Sequence, residues 1–84
     1  MLSIVLPCKN EGVALARILP ELKAAVPEAE IIVVNDGSTD NTADLCRDLG
    51  ICTVEHQQSL GNGAAIKSGA RAASGDAIVF MDAD

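Results

Sequence analysis

The stretch IIVVNDGSTD, residues 31–40, decides the fold. Its four leading apolar residues form a continuous run, which is typical of a strand buried on both faces of a parallel sheet. Gly37 tolerates the backbone angles of a tight turn, and Ser38, Thr39 or Asp40 could each cap a following helix. The stretch therefore predicts a strand, a turn and a helix start, where open α/β sheets bind ligands. An acidic turn needed only for folding explains it equally well.

Apolar periodicity predicts an alternation of strands and helices along the rest of the chain. The predicted strands are residues 2–6, 31–34, 51–55 and 77–81, and the predicted helices are residues 13–26, 42–49 and 64–73. Pro7 should stop the first strand, Asn10 could cap the first helix, and Pro20 should kink or split that helix. Gly50 is well placed to end the second helix.

This order predicts an α/β domain with a three-layer αβα arrangement and a mostly parallel sheet. If the fourth strand pairs with the first, the strand order is 3-2-1-4, and the third strand lies at an edge. The topological switch point then falls between strands one and four, framed by Pro7 and Asp82.

Composition narrows the class of protein. The length of 84 residues suits one domain, residues 1–84. A formal net charge of −6 without a Lys/Arg cluster disfavours nucleic-acid binding. Three cysteines without C-x-x-C spacing predict free thiols in a reducing compartment, and we expect Cys8 to be a small buried hydrophobe. No signal peptide or membrane span is evident, so we expect a cytoplasmic domain.

Two aspartates near the end of the sequence suggest a metal site. Asp82 and Asp84 follow the fourth predicted strand, and residues two apart in an extended chain project to one side. Two such carboxylates can hold Mg²⁺ or Mn²⁺, whose other ligands could be phosphate oxygens. A merely acidic strand end explains so short a pattern as well.

Other motifs carry less information. The segment GNGAAI, residues 61–66, lacks the third glycine of a dinucleotide-binding fingerprint and does not follow the first strand. Lys67 could face an anionic ligand or be a solvated helix residue. His56 has no partner at ligand spacing, so we expect a loop residue rather than a metal ligand.

Four segments in order, SIVLPCKNE, VVNDGSTDNT, GNGAAIKSGARAASGD and MDAD, resemble the family 2 glycosyltransferases of GT-A fold. The likeness is strongest to the dolichol-phosphate mannose synthase-like branch and covers essentially the whole chain. It implies the N-terminal half of a GT-A Rossmann-like fold, which binds a UDP- or GDP-linked sugar together with Mg²⁺ or Mn²⁺. A polyprenyl-phosphate acceptor is implied by the resemblance alone.

The resemblance also implies roles for individual residues. The implied nucleotide-binding residues are Pro7, Asn10, Glu11, Asp36, Lys67 and Asp82. Asp36 would accept a hydrogen bond from the base, and Asp84 with Asp82 would coordinate the metal. Two departures from the family pattern are Asn35, where an aspartate is frequent, and Cys8, where small residues are usual.

The family's acceptor site and general base lie beyond the closing aspartates. We therefore expect the 84-residue chain to bind nucleotide weakly and not to turn over, with its catalytic base unknown. The fourth strand should expose an apolar edge, which predicts self-association.

Two other functions remain open. A non-catalytic nucleotide-binding or regulatory module would keep the same motifs. A sugar nucleotidyltransferase normally has a glycine-rich loop after the first strand, which PCKNEG lacks.

Overall fold

The computed structural model describes residues 1–83 and shows one alternating series of strands and helices. The elements are β1 Leu2–Cys8, α1 Gly12–Ala25, β2 Glu30–Asp36, α2 Thr42–Asp48, β3 Cys52–His56, α3 Asn62–Ala72 and β4 Ala77–Phe80. The strands pair in parallel in the order β3-β2-β1-β4. The predicted topology and the edge position of β3 are therefore confirmed.

Side-chain alternation along β1 and β2 builds an apolar layer on each face of the sheet. One layer contains Ile4, Leu6, Ile31 and Val33 of the strands together with Leu15, Leu19 and Cys46 of α1 and α2. The other contains Val5, Ile32 and Val34 together with Ala65 of α3. Helices thus cover both faces, which confirms the three-layer arrangement.

Both central strands extend two residues beyond their predicted ends. The prediction that Pro7 stops β1 was wrong, because Pro7 pairs with Val34 inside the strand. Val5 accepts a backbone hydrogen bond from Met81, so the peptide groups of Val5 face β4. Because strand residues alternate in direction, an N–H at Pro7 would face β4 as well. β4 has already ended at Phe80, so no ladder bond is lost there.

The helix ends agree with the sequence in part. Gly50 has a φ of 68°, and the backbone bonds Gly50 N to Arg47 O and Ile51 N to Cys46 O form a Schellman motif. Pro20 lies on the exposed side of α1, which continues as one helix rather than splitting. Asn10 is not the N-cap of α1, because that position belongs to Glu11. Within residues 1–83, no helix has the length and hydropathy needed to cross a bilayer.

The close packing of α3 on the sheet yields a test of the fold. A Cβ atom at buried Gly69 would overlap Val5 Cγ1, whereas a Cβ atom at Gly63 in the same helix would meet nothing within 4 Å. We expect Gly69→Ala to lower the free energy of unfolding by about 1–3 kcal/mol through overpacking. The matched Gly63→Ala should raise it by about 0.5–1 kcal/mol. Urea unfolding followed by circular dichroism measures both, and equal stabilities would contradict the described packing.

Candidate nucleotide-binding site

A pocket of about 220 Å³ opens at the carboxyl ends of the two central strands. Pro7, Cys8 and Lys9 line it from the end of β1, and Asp36 lines it from the end of β2. Residues between 59 and 65, from the β3–α3 loop and the start of α3, complete the wall. The parallel topology therefore brings Pro7 and Asp36 together at one pocket.

The Asp36 side chain is buried and accepts hydrogen bonds on both carboxylate oxygens. Oδ1 lies 2.8 Å from His56 Nδ1 and accepts from the Leu60 N–H at 2.9 Å. Oδ2 accepts from the Ser59 hydroxyl at 2.9 Å and from the Gly61 N–H at 3.0 Å. Because a carboxylate offers about four acceptor positions, these four donors saturate it.

The same donors determine the charge of Asp36. Burial by itself would raise the pKa of this carboxyl, since it penalises the ionised form. The hydrogen bonds from Leu60, His56, Ser59 and Gly61 outweigh burial and hold the pKa well below its ordinary value of 3.8. Asp36 is therefore a carboxylate at neutral pH.

His56 is a site residue that the sequence argument missed. It is the last residue of β3 rather than a loop residue, and the strand register pairs it with Asp36. Its side chain is 10% exposed, and its Nε2 lies 2.8 Å from the Ser68 hydroxyl of α3. Since an ionised carboxylate only accepts, Nδ1 carries the proton of this hydrogen bond, and Nε2 faces the Ser68 hydroxyl. Correct pairing of β2 with β3 was the signal that could have revealed this contact.

The order Ser68, His56 and Asp36 matches the geometry of a nucleophile, a base and its orienting acid. Ser68 lies within α3, however, where the backbone N–H groups bond to carbonyls of the same helix. Those groups are not available to stabilise an oxyanion, so the arrangement does not favour a hydrolytic nucleophile.

Asn10 joins two loops at this edge of the sheet. It has a φ of 55°, and its side-chain oxygen accepts hydrogen bonds from the Thr39 N–H at 2.7 Å and the Asp40 N–H at 3.3 Å. Its own N–H donates to the Ser38 hydroxyl at 2.9 Å. The side-chain oxygen therefore holds the β2–α2 loop instead of capping α1.

Asp40 serves the first turns of two helices. Its carboxylate accepts from the Gly12 N–H of α1 and from the Thr42 N–H of α2, each at 3.1 Å. Hydrogen bonds from the Thr42 hydroxyl and from these N–H groups lower the pKa of Asp40 against the opposing effect of burial. Among the predicted capping residues, Asp40 is thus the one whose side chain reaches the start of α2.

Asn35 occupies a position where an aspartate would be poorly accommodated. Its side-chain N–H₂ donates to Glu55 at 2.9 Å, and its side-chain oxygen accepts from the Ser38 N–H at 3.2 Å. An aspartate would remove the donor and bring a second carboxylate against Glu55. An asparagine at position 35, where an aspartate is frequent in the family, is therefore compatible with Glu55 on β3.

The other predicted site residues are more dispersed. Asn10 and Glu11 line a separate cavity of about 650 Å³, and Lys67 and Asp82 are exposed. Asp84 lies outside the described residues. Within residues 1–83, no group of three His, Cys, Asp or Glu side chains is placed to hold a metal ion. Cys8 is buried, and this burial raises the pKa of its thiol to about 12, as suits a small apolar residue.

Comparison with known proteins identifies close structural relatives. A family model described as glycosyl transferase family 2 matches residues 3–84. The chain is 37% identical over 92 residues to an undecaprenyl-phosphate 4-deoxy-4-formamido-L-arabinose transferase of Pseudomonas fluorescens, a match that covers 98% of the chain and 27% of the relative. The chain spans between 21% and 64% of the length of the eight curated relatives compared.

Two solved structures share the fold over nearly all of this chain. Glucosyl-3-phosphoglycerate synthase from Mycobacterium tuberculosis, in complex with Mn²⁺, UDP and glucosyl-3-phosphoglycerate, has a TM-score of 0.84 at 31% identity. The match covers 100% of the chain and 33% of that structure. A mannosyltransferase from Pyrobaculum calidifontis, in complex with GDP-Man and Mn²⁺, has a TM-score of 0.90 at 25% identity, with coverages of 99% and 27%.

The saturated carboxylate predicts a pH-dependent stability. Asp36→Asn should lower the free energy of unfolding at pH 7 by about 1–3 kcal/mol, because buried donors lose their charged acceptor. The pKa of Asp36 is lower in the folded state, so its stabilisation is present above the ordinary value of 3.8 and is lost as pH falls through the folded pKa. The difference between wild type and variant should therefore be constant from about pH 7 to pH 5 and shrink below about pH 4.

Urea unfolding at several pH values measures this difference. Asp48→Asn on the exposed surface of α2 is the matched control and should change stability little at any pH. A wild-type advantage that grows on acidification would contradict the assigned role of Asp36.

Proposed function

Since the chain belongs to glycosyl transferase family 2, we propose that it binds the nucleotide of a nucleoside-diphosphate sugar. In this proposal the chain is the donor-binding part of an enzyme that transfers the sugar to an acceptor. The observation that carries the proposal is the ionised, buried Asp36 at a pocket between strand ends. Such an edge is where open α/β sheets bind ligands.

The pocket suits the base of the nucleotide. Its volume of about 220 Å³ is below the range of roughly 300–1,000 Å³ that is common for whole small-molecule sites. Asp36 would accept an N–H of the base, and Pro7 would pack against the nucleotide. Asn10, Glu11 and Lys67 would contact the remainder of the nucleotide, outside this pocket.

A divalent cation, Mg²⁺ or Mn²⁺, is part of the proposal. Asp82 follows β4 as an exposed carboxylate at the same edge, and Asp84 would be its partner. Mg²⁺ is commonly held by one or two carboxylates together with substrate phosphates, so these two aspartates fit such a cation. When bound, the cation offsets charge on the departing nucleoside diphosphate. The Mn²⁺ complexes of the two structural relatives support this assignment.

The acceptor and the cellular setting are further parts of the proposal. The name of the Pseudomonas fluorescens relative supports a polyprenyl-phosphate acceptor. Cys8, Cys46 and Cys52 are free, which supports a reducing compartment such as the cytoplasm. The net charge of −6 does not favour a nucleic-acid partner.

Nucleotide titration tests the proposed function. Addition of UDP or GDP with Mg²⁺ to the ¹⁵N-labelled chain should shift the amide signals of Leu60 and Gly61, which donate to Asp36. The shifts should be larger with Mg²⁺ than without it. Asp36→Ala should weaken binding about tenfold or more through loss of a charged hydrogen-bond acceptor.

The control is Ser74→Ala, which removes a hydroxyl bonded to Glu30 at the opposite edge of the sheet. It should bind nucleotide as the wild type does. A well-dispersed spectrum that does not change with either nucleotide would contradict the proposal. Acceptor-dependent turnover by the 84-residue chain alone would contradict the expectation that it only binds.

We also propose that the chain associates with itself through β4. This strand is an edge of the sheet, and its residues Ile78, Val79 and Phe80 are 38%, 44% and 43% exposed. An exposed apolar strand edge is a ready template for pairing with another chain.

Light scattering at increasing protein concentration tests this association. Val79→Lys should shift the chain toward the monomer, because charged side chains on an edge strand oppose pairing. Ala43→Lys, on the exposed face of α2, adds the same charge away from the edge and should leave association unchanged. A monomeric wild type at the highest concentration would contradict the proposal.

A further inference from the structure

We propose that His56 is a positioning residue for nucleobase recognition. His56 donates its Nδ1 proton to Oδ1 of Asp36, is held at Nε2 by Ser68, and thereby orients the carboxylate so that Oδ2 faces the pocket. This inference rests on the proposed function and adds to it a residue that touches no ligand.

The donors to the two oxygens of Asp36 line different cavities. Ser59 and Gly61, the donors to Oδ2, line the 220 Å³ pocket together with Asp36. His56 and Leu60, the donors to Oδ1, line another cavity beside β3. A base in the first pocket would therefore meet Oδ2, while Oδ1 stays engaged behind it.

Asp36 needs a partner to maintain this orientation. The terminal torsion of an aspartate is broad, so its own rotamer preference does not fix which oxygen faces the pocket. The His56 N–H donates to an ionised acceptor at 2.8 Å, which is the stronger class of hydrogen bond. The ring is held at both nitrogens and is 10% exposed, so it cannot turn away without breaking two contacts.

Ser68 holds the side of the His56 ring that faces away from Asp36. The Asp36 carboxylate, which only accepts, requires the proton on Nδ1, and the Ser68 hydroxyl lies 2.8 Å from Nε2 on the other side of the ring. Ser68 thus acts on Asp36 through His56 and contacts the opposite side of the ring.

Ser59 is the donor that can give way to a ligand. It is exposed, and its hydroxyl can rotate, whereas the Gly61 and Leu60 donors are backbone groups. If the Ser59 hydroxyl leaves Oδ2, an N–H of the base can take the released acceptor position. The carboxylate then keeps its three other hydrogen bonds, including the one from His56.

The test compares a nucleotide with its N-methylated form, because methylation removes the N–H that Asp36 would accept. UDP is paired with 3-methyl-UDP and GDP with 1-methyl-GDP, and the pair whose parent binds more tightly is used. In the wild type, methylation should raise Kd about fivefold or more, as expected for one lost hydrogen bond to a charged group. This ratio of Kd values isolates base recognition from binding of the diphosphate.

Two His56 variants separate positioning from general stability. His56→Gln places its amide near Nε2 and should reduce the methylation ratio to below about twofold. His56→Asn places its amide near Nδ1 and should restore much of the ratio. Gln57→Ala, the exposed neighbour of His56, is the control and should keep the wild-type ratio. If His56 had a purely structural role, its substitution would weaken binding of the parent and the methylated nucleotide equally and leave the methylation ratio unchanged.

The protonation of the ring gives a readout independent of affinity. Long-range ¹H–¹⁵N spectra of the wild type and of Ser68→Ala should both show His56 protonated at Nδ1, and a wild type protonated only at Nε2 would overturn the inference. The same variant should lower the methylation ratio, and it keeps the test decisive if His56→Gln fails to fold.

The outcomes distinguish this inference from the proposed function. A wild-type methylation ratio near one overturns the inference while nucleotide binding stands. A full ratio in folded His56→Gln or Ser68→Ala also overturns it and leaves the proposed function intact. If neither UDP nor GDP binds to the folded wild type, both the inference and the proposed function are overturned.

Discussion

A carboxylate buried at the end of a central strand is stable only if donors surround it, and this requirement at Asp36 shapes the site. All of its donors come from residues 56–61, so the end of β3 and the β3–α3 loop are drawn onto the end of β2. Gly37 permits this approach, because a Cβ atom there would lie 2.5 Å from the Ser59 nitrogen. Its φ of 72° also favours glycine.

Polar side chains hold the connections in place at both ends of the central strands. At the carboxyl edge, Asn10 and Asp40 join the β1–α1 and β2–α2 loops by accepting backbone N–H groups from the neighbouring connection. At the opposite edge, Glu30 accepts from Ser3 and Ser74 and thereby ties the α3–β4 connection to the central strands. Both arrangements satisfy backbone groups that regular structure leaves unpaired, which limits loop motion before any ligand arrives.

The sequence predicts the topology well because apolar periodicity is a local property. It predicts the strand ends poorly, because Asn35 and Asp36 belong to β2 through long-range pairing, Asn35 with Cys8 and Glu55 and Asp36 with His56. The contact between His56 and Asp36 depends on register between strands whose paired residues are 20 positions apart. Asn10 is similar, since its local pattern suggests a helix cap while its partner Thr39 lies 29 positions away. What the sequence leaves undetermined here is long-range pairing of polar groups, which has no period to detect.

The strand lengths explain why the site lies beside β1 and not above all four strands. Pairing of Val5 with Phe80 would, if continued, place Asp82 level with Pro7. The ladder reaches Met81 through one further bond to Val5 and then meets Pro7, which has no N–H to extend it. β1 and β2 therefore extend past β4. The ends of β1 and β2, which bring Pro7 and Asp36 to the pocket, thus lie beyond the last paired residue of β4, at the carboxyl edge where open α/β sheets bind ligands.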